Sequence, residues 1–325
     1  MKRLVILAPN WLGDAVMALP AIADVRRAAP GAFVAVAARP PVAPLFRMVP
    51  GVDDVVTIQR RGWLEPDAAL KAAAFDTALL LPNSLHSALT VLRAGIGQRW
   101  GYRRDWRGRL LTRAVHPPSG LHQAEYYQQL VHALGFPNGP LEPRLPVSGG
   151  ARKAARGLLA DAGCDAQSPF VALAPGAAYG GAKRWSPDRF AALATDLAKD
   201  GVRAVMLGTG ADRSTANEVT ARVPRIVDLV GKTDLARLAG VLALARTLVT
   251  NDSGAMHLAA AIGTPVTAVF GPTDERATRP LGAGHAVLTG TAWCRPCMLR
   301  ECPLDHRCMD GIETASVISA ARRSL

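Results

Sequence analysis

The sequence predicts an α/β protein made of two successive domains, each a parallel sheet with helices on both faces. Three observations predict it. Short, continuously apolar runs recur along the chain and read as strands buried on both sides. Longer amphipathic stretches alternate with them, as crossover helices must. The alternation also stops over Pro137 to Gly150, a stretch rich in proline and glycine, and then starts afresh. A chain of 325 residues is long enough for two domains of roughly 150 residues, each burying its own core. The boundaries set by this break are 1–150 and 151–325, with the final helix a candidate to pack back on the first domain.

In the first half, Leu4 to Ala8 reads as a buried strand, Pro9 to Asp14 as a turn, and Ala15 to Ala29 as a helix with one apolar face. Phe33 to Ala37 is the second strand, followed by a helix from Val42 to Met48. Val55 to Ile58 and Thr77 to Leu81 are further strands, while Ile96 to His116 is less regular. In the second half, Phe170 to Ala174 reads as a strand, and Pro187 suits the first turn of a helix running to Lys199. Ala204 to Leu207 (strand), Arg213 to Arg222 (helix) and Leu235 to Ala245 (helix) follow. Thr247 to Thr250 (strand), Met256 to Ile262 (helix) and Val266 to Phe270 (strand) complete the pattern. Two Rossmann-like halves fit this order.

Composition narrows the partners. Lys plus Arg number 38 against 26 Asp plus Glu, a formal net charge of +12, which favours a polyanionic or phosphorylated partner. Seven arginines, Arg93, Arg99, Arg103, Arg104, Arg107, Arg109 and Arg113, fall in one stretch offset only by Asp105, which points to a phosphate-facing surface. No stretch reaches the roughly 20 apolar residues that span a bilayer, and no secretory signal is legible after Met1-Lys2-Arg3. A cytoplasmic protein is expected, with attachment to the inner face of the membrane left open.

The residues that carry chemistry lie where the strands end. Open α/β sheets bind ligands outside the carboxyl ends of their strands. The first such turn holds Asn10, Gly13 and Asp14; Gly13 lets the chain approach a ligand, and Asp14 either accepts a proton or caps the next helix. The turn after Phe170–Ala174 runs Pro175-Gly176-Ala177-Ala178-Tyr179-Gly180-Gly181-Ala182-Lys183-Arg184-Trp185. Its glycines free backbone N–H groups to face a pyrophosphate, Lys183 and Arg184 supply charge, and Trp185 anchors the loop. Gly208 to Asp212 is another strand-end turn, equally readable as an ordinary helix entry. Asn251-Asp252-Ser253-Gly254-Ala255-Met256-His257 opens a short helix whose N–H groups and dipole suit a phosphate. Neither a GxGxxG fingerprint nor a GxxxxGK[ST] loop is present, which argues against a dehydrogenase or an ATPase.

Taken in order, the runs PNWLGDAVMALP, PGAAYGGAKRW, NDSGAMHLAAAIGTPVTAVFGPTD and CRPCMLRECPLDHRCM make the chain resemble the ADP-heptose:lipopolysaccharide heptosyltransferases, most of all their heptosyltransferase II branch. The resemblance extends over nearly the whole chain. It implies the GT-B arrangement, two Rossmann-like domains facing a cleft, with no catalytic metal or other required cofactor. It implies ADP-heptose as donor and a lipid A–Kdo–heptose acceptor. By the same resemblance Asp14 is the acceptor-side catalytic carboxylate and Lys183 the diphosphate-contacting lysine. Asp252, Ser253, Gly254 and His257 form the donor-binding motif, with Asp212 in a donor-side region. Many relatives carry Thr where this chain has Ser253, a change that keeps the hydroxyl. The acceptor side would include Asn10, Gly13, Arg103 and Arg104, with the arginines meeting acceptor phosphates or an anionic membrane.

Four of the five cysteines fall in Cys294-x2-Cys297-x4-Cys302-x5-Cys308. Thiolates at such spacing admit a structural zinc or iron–sulfur site; reduced thiols or one disulfide are the plain alternatives. Cys164 stands apart and reads as a small buried apolar residue. Two rival functions are carried: a related GT-B transferase with another nucleotide sugar or core acceptor, and a nucleic-acid-binding protein. Nucleic acid ranks lower because the strand-end loops are laid out for a small diphosphate, and the basic run is read as lacking the interleaved aromatic side chains that a stacking platform requires. Oligomeric state is not legible in the sequence.

Overall fold

The computed structural model describes residues 1–59 and 67–325. The chain divides into two compact units, Met1–Leu145 and Pro146–Leu325, and the division falls within the proline- and glycine-rich break.

The first unit is built on strands β1 (Arg3–Leu7), β2 (Phe33–Ala38), β3 (Asp54–Thr57), β4 (Thr77–Leu80), β5 (Gln98–Tyr102) and β6 (Arg113–Val115). They form one sheet in the order β3-β2-β1-β4-β5-β6, with every pairing parallel. The central strand β1 sets Val5 opposite Ala35 on one side and Ala78 on the other. Val5, Leu7, Ala35, Ala37, Ala78 and Leu80 join the core under one face. Continuous apolarity follows from this burial: helices cover both faces, so neither set of alternating side chains meets water.

The second unit repeats the plan with β7 (Phe170–Ala174), β8 (Arg203–Met206), β9 (Val227–Asp228), β10 (Thr247–Asn251), β11 (Val266–Phe270) and β12 (Ala286–Thr289). Its order is β12-β11-β10-β7-β8-β9, again parallel throughout. In each unit the chain starts in the middle, winds outward one way, and returns to wind the other way. The direction reverses between β1 and β4 and between β7 and β10. Those are the topological switch points at which doubly wound sheets open a crevice for ligands.

Several elements differ from the sequence expectation. The helix expected over Ala15 to Ala29 is two helices, Leu12–Met17 and Leu19–Ala28, because Pro20 has no N–H to return to Val16 and crowds the preceding turn. The irregular stretch from Ile96 to His116 carries β5, a single 3-10 turn at Arg107–Leu110, and β6. The helices Leu85–Arg93, Gln123–Ala133 and Gly149–Asp161 and the short strands β9 and β12 also went unread. By contrast the helices Pro187–Lys199 and Arg213–Arg222 and the strands β7 and β11 have the expected bounds.

Two helices matter for placing the sites. Gln123–Ala133 packs along Leu19–Ala28, fixed by the buried Asp24, which accepts from Gln128 Nε2 at 2.8 Å and pairs with Arg27. The final helix, Thr314–Arg322, lies on Pro187–Lys199 and on β10, β11 and β12 of its own unit. There Arg322 reaches Asp196 and Asp200 at 2.8 Å. Among the described residues no helix is long and apolar enough to cross a membrane.

Candidate active site

At the carboxyl edge of the first sheet, Ala8 and Pro9 are buried and the chain surfaces at Asn10 and Trp11. Trp11 is the N-cap of Leu12–Met17, with extended backbone and no capping side chain. Gly13 and Asp14, both half-buried, are the second and third residues of that helix, so Asp14 is not its cap. A carboxylate in a first helical turn is held favourably by the helix dipole. Burial first, and then the charge of Asp14, push the Tyr127 hydroxyl well above its ordinary range, which places Tyr127, from Gln123–Ala133, beside this carboxylate. Beyond β4, Asn83 donates to the Tyr126 hydroxyl at 2.9 Å and accepts from Arg107 at 3.3 Å. Asn83, Tyr126 and Tyr127 were not singled out in the sequence; only the topology brings them to the switch point.

At the equivalent edge of the second sheet, Lys183 Nζ lies 2.5 Å from Asp252 Oδ2, both side chains largely buried. Thr273 Oγ1, from the turn after β11, donates to the same Asp252 oxygen at 2.8 Å. The Tyr179 ring sits 4.6 Å from the Lys183 ammonium. Asn251 at the end of β10 locks the glycine-rich turn: its side chain accepts from Trp185 N at 3.0 Å and donates to the Pro175 carbonyl at 2.7 Å. Trp185 is fully buried and stacks edge-on against Phe190 at 5.2 Å, which makes it the anchor expected of it.

Ser253 is the N-cap of Gly254–Ile262, yet its side chain makes no capping bond. Its hydroxyl pairs instead with Thr250 Oγ1 at 3.0 Å. The positive end of that helix, at Gly254, therefore stands next to the Lys183–Asp252 pair, an arrangement suited to a diphosphate. His257 is buried in the first turn of the same helix. Asp212 has a defined structural task. It accepts from Thr209 N at 2.8 Å and Thr209 Oγ1 at 2.9 Å in a capping box, and its carboxylate fills the space beside Gly176 where any Cβ would collide.

The N–H groups of the glycine-rich turn are engaged differently from the expectation that they face a pyrophosphate. Gly181 N donates to Glu301 Oε1 at 3.0 Å and Ala182 N to the Arg300 carbonyl at 2.9 Å. Tyr179 OH donates to the Met298 carbonyl at 2.7 Å, and the Arg300 guanidinium lies 5.3 Å from the Tyr179 ring. Gly180 packs so closely on the Arg300 backbone that a side chain there would clash. From its other side the same segment ties down the turn after β11: Met298 N donates to Pro272 O at 2.9 Å, and Arg295 reaches the Gly271 carbonyl and Glu275. The cysteine-bearing segment is thus a strap across the two turns that flank Asp252.

The family model for glycosyltransferase family 9 (heptosyltransferase) matches residues 65–307. The chain belongs to glycosyltransferase family 9. Among curated relatives it is 30% identical to lipopolysaccharide heptosyltransferase 2 of Salmonella typhimurium over 300 residues, 86% of this chain and 85% of that one. It is 28% identical to lipopolysaccharide heptosyltransferase 1 of Pseudomonas aeruginosa, covering 92% and 87%. Among solved structures, the ADP-heptose lipopolysaccharide heptosyltransferase II of E. coli superposes with a TM-score of 0.85 at 29% identity, covering 100% of this chain and 98% of that one. The fold is accordingly the two-Rossmann-domain GT-B type, and the protein is a glycosyltransferase.

In this family 9 enzyme the arginine cluster is not one surface. Arg107 is fully buried, its guanidinium donating to the Tyr102 carbonyl and Ser87 Oγ at 2.9 Å, to Asn83 Oδ1 and to the Pro82 carbonyl. Burial pushes its pKa down to about 10, so it stays charged at neutral pH. Arg99 is spent on the carbonyls of Leu110, Ile96 and Gly97, and Arg113 lies over Trp100 at 5.0 Å. Arg103, Arg104, Arg109 and Arg113 are the exposed members, Arg113 with its guanidinium turned back over Trp100. The stretch does carry aromatic residues between its arginines, contrary to its reading as free of a stacking platform. Tyr102 is buried, donating to the Tyr126 carbonyl at 2.7 Å, and Trp100 is covered by Arg113, so only Trp106 is left open.

None of the cysteines is in a disulfide. Burial first, then the charges of Cys294, Cys297 and Cys302, push the Cys308 thiol up, which places the four sulfurs in one neighbourhood. Cys308 itself packs against Gly271 within the second unit's core. Among the described residues no group of three or more His, Cys, Asp or Glu side chains is arranged to hold a metal ion.

Proposed function

We propose that this enzyme transfers heptose from ADP-heptose, with inversion, to the first heptose of the lipopolysaccharide inner core. The observation that carries the reading is the Lys183–Asp252 pair at the N-terminus of Gly254–Ile262, a charged, largely buried edge built for a nucleoside diphosphate. Membership in the family supplies heptosyl transfer, and the names of the heptosyltransferase 2 relatives favour the second core position.

Asp14 is the base. Its carboxylate takes the proton of the attacking acceptor hydroxyl as that oxygen bonds to the anomeric carbon. On the opposite face the bond from that carbon to the diphosphate breaks, and the electron pair leaves with ADP. Lys183 and the helix N-terminus at Gly254 stabilise the charge that develops on the leaving phosphate. Asp252 holds Lys183 in place, and His257 supports the loop from within the helix. Arg103 and Arg104 receive the anionic groups of the acceptor. No cofactor enters this scheme. The protein works at the cytoplasmic face of the membrane, where a lipid-linked acceptor would be presented.

The test is incorporation of labelled heptose from ADP-heptose into a defined lipid A–Kdo–heptose acceptor, read by product mass. A gain of one heptose is expected. Transfer only to an acceptor lacking that heptose would move the enzyme to the first core position, and use of a different nucleotide sugar alone would overturn the donor.

A further inference from the structure

We propose that the turn from Arg103 to Arg109 docks the first unit onto an anionic lipid bilayer, with Trp106 seated in the headgroup layer. The inference rests on the reading that the acceptor is lipid-linked, and extends it to how the enzyme reaches that acceptor.

Trp106 is 97% exposed, the most open large apolar side chain among the described residues. A tryptophan left with no packing is unusual in a structure whose other aromatic residues near it are covered. Its position is imposed by the backbone: Asp105 and Trp106 both adopt the left-handed region, with φ of 49° and 62°. Asp tolerates that conformation, but a bulky residue rarely adopts it, and such outliers persist where the surroundings enforce them. The enforcing group is the next residue. Arg107 points inward, and its buried guanidinium bonds to the Tyr102 and Pro82 carbonyls, Ser87 and Asn83. The loop is therefore held from below while its tip is turned out.

Around the tip, Arg103, Arg104 and Arg109 are exposed, with Asp105 the only acidic residue between them. The stem of Arg103 lies across Gly108, closing the turn. A tryptophan beside a ring of arginines matches the boundary layer of an anionic membrane. The indole prefers the interface between headgroup and hydrocarbon, and the guanidinium groups pair with lipid phosphates. The placement also fits the chemistry. The turn follows β5 and the Asp14 turn follows β1, so both leave the same carboxyl edge of a parallel sheet. With β4 between them, they stand about 10 Å apart along that edge. Trp11, 51% exposed, stands at the Asp14 turn on that same edge. Docking through Trp106 would present the catalytic carboxylate's edge to the surface from which the acceptor projects.

The experiment is co-sedimentation with vesicles of phosphatidylethanolamine and phosphatidylglycerol, without acceptor, against phosphatidylcholine vesicles. Native enzyme should bind the anionic vesicles and release with salt. Trp106→Ala should lower that binding severalfold. Arg103→Gln with Arg104→Gln should lower it by roughly fivefold for each arginine and flatten the salt dependence. In assays, Trp106→Ala should keep kcat/KM on a deacylated, water-soluble acceptor while losing activity on acceptor embedded in vesicles. Native-like vesicle binding by Trp106→Ala, or indifference of the native enzyme to phosphatidylglycerol, would overturn the proposal. Equal loss on the soluble acceptor would also overturn it, and would assign Trp106 to the acceptor sugars. Because vesicle binding is measured without turnover, a failure of heptosyl transfer would leave the docking result standing on its own.

Discussion

Lys183 and Asp252, 69 residues apart in sequence, meet at 2.5 Å, and the Asp252 oxygen that receives the ammonium also accepts the Thr273 hydroxyl. Three turns, following β7, β10 and β11, are thereby joined at one atom. If Lys183 meets the donor phosphate as proposed, it is oriented before that phosphate arrives, and little reorganisation is left for the reaction itself.

Removing the ammonium should therefore cost far more than weakening its tether. Lys183→Ala is expected to lower kcat/KM by about 10²–10³. Thr273→Val, which leaves Asp252 with one partner fewer, should lower it about fivefold, mostly through a higher KM for donor. Initial-rate kinetics with ADP-heptose separate the two, and an unchanged donor KM in Thr273→Val would detach Thr273 from the site.

Asp14→Asn keeps the shape of the first helical turn and removes the proposed proton acceptor. Turnover should fall by about 10²–10⁴, while ADP affinity, measured by calorimetry, stays at the native value. A variant that turned over normally would end the assignment of Asp14 as base.

Arg107→Met would leave the carbonyls of Tyr102 and Pro82 and the side chains of Ser87 and Asn83 without their donor. The first unit should lose on the order of 3 kcal/mol, seen as an earlier urea transition. Arg107→Lys keeps charge but not the planar fork, so it should fall between the two. A native midpoint for Arg107→Met would show that the loop is held by something else.

Acid should loosen the first unit through Asp76 and Asp53. At Asp76, burial opposes the shift but is outweighed by bonds from Thr77 Oγ1 and from the N–H groups of Arg3 and Lys2, and the carboxyl ends below its ordinary 3.8. At Asp53 the bond from Val34 N, and after it the pairing with Arg26, acts in the same direction against burial. A carboxyl whose folded pKa is lowered contributes fully above its unfolded pKa and loses that contribution as pH falls through the folded value. Melting curves of native protein and Asp76→Asn should therefore differ most above pH about 4 and converge below it. A gap that stays constant with pH would contradict this.

The doubly wound halves were legible because a strand buried on both faces leaves an unbroken apolar run. Phe170–Ala174 and Val266–Phe270 announce themselves in this way. The outlying strands do not. Gln98–Tyr102 and Arg113–Val115, the last two on their side of the sheet, carry arginines and a glutamine, tolerated because both are only partly buried and long side chains can fold back onto neighbouring carbonyls, as Arg99 does. Strand-end turns with Gly, Asp and Lys were legible as candidates from their place after apolar runs, while the roles proposed for them came from the family resemblance. Their partners were not legible: Tyr127 beside Asp14, Thr273 on Asp252 and Glu301 on Gly181 depend on which loops the topology makes neighbours. The arginine run misled for a related reason, since composition does not say which guanidinium turns inward.

The strap from Arg295 to Glu301 has a consequence for how this enzyme can vary. Tyr179, Gly180 and Gly181 are matched to Met298, Arg300 and Glu301 by contacts 119 to 120 positions apart, so neither stretch is at liberty to drift alone. Substitutions in the two should arise in concert across relatives. A chimera that imported a foreign glycine-rich turn without its companion segment would inherit a misfitting pair, even though every residue named in the chemistry was retained.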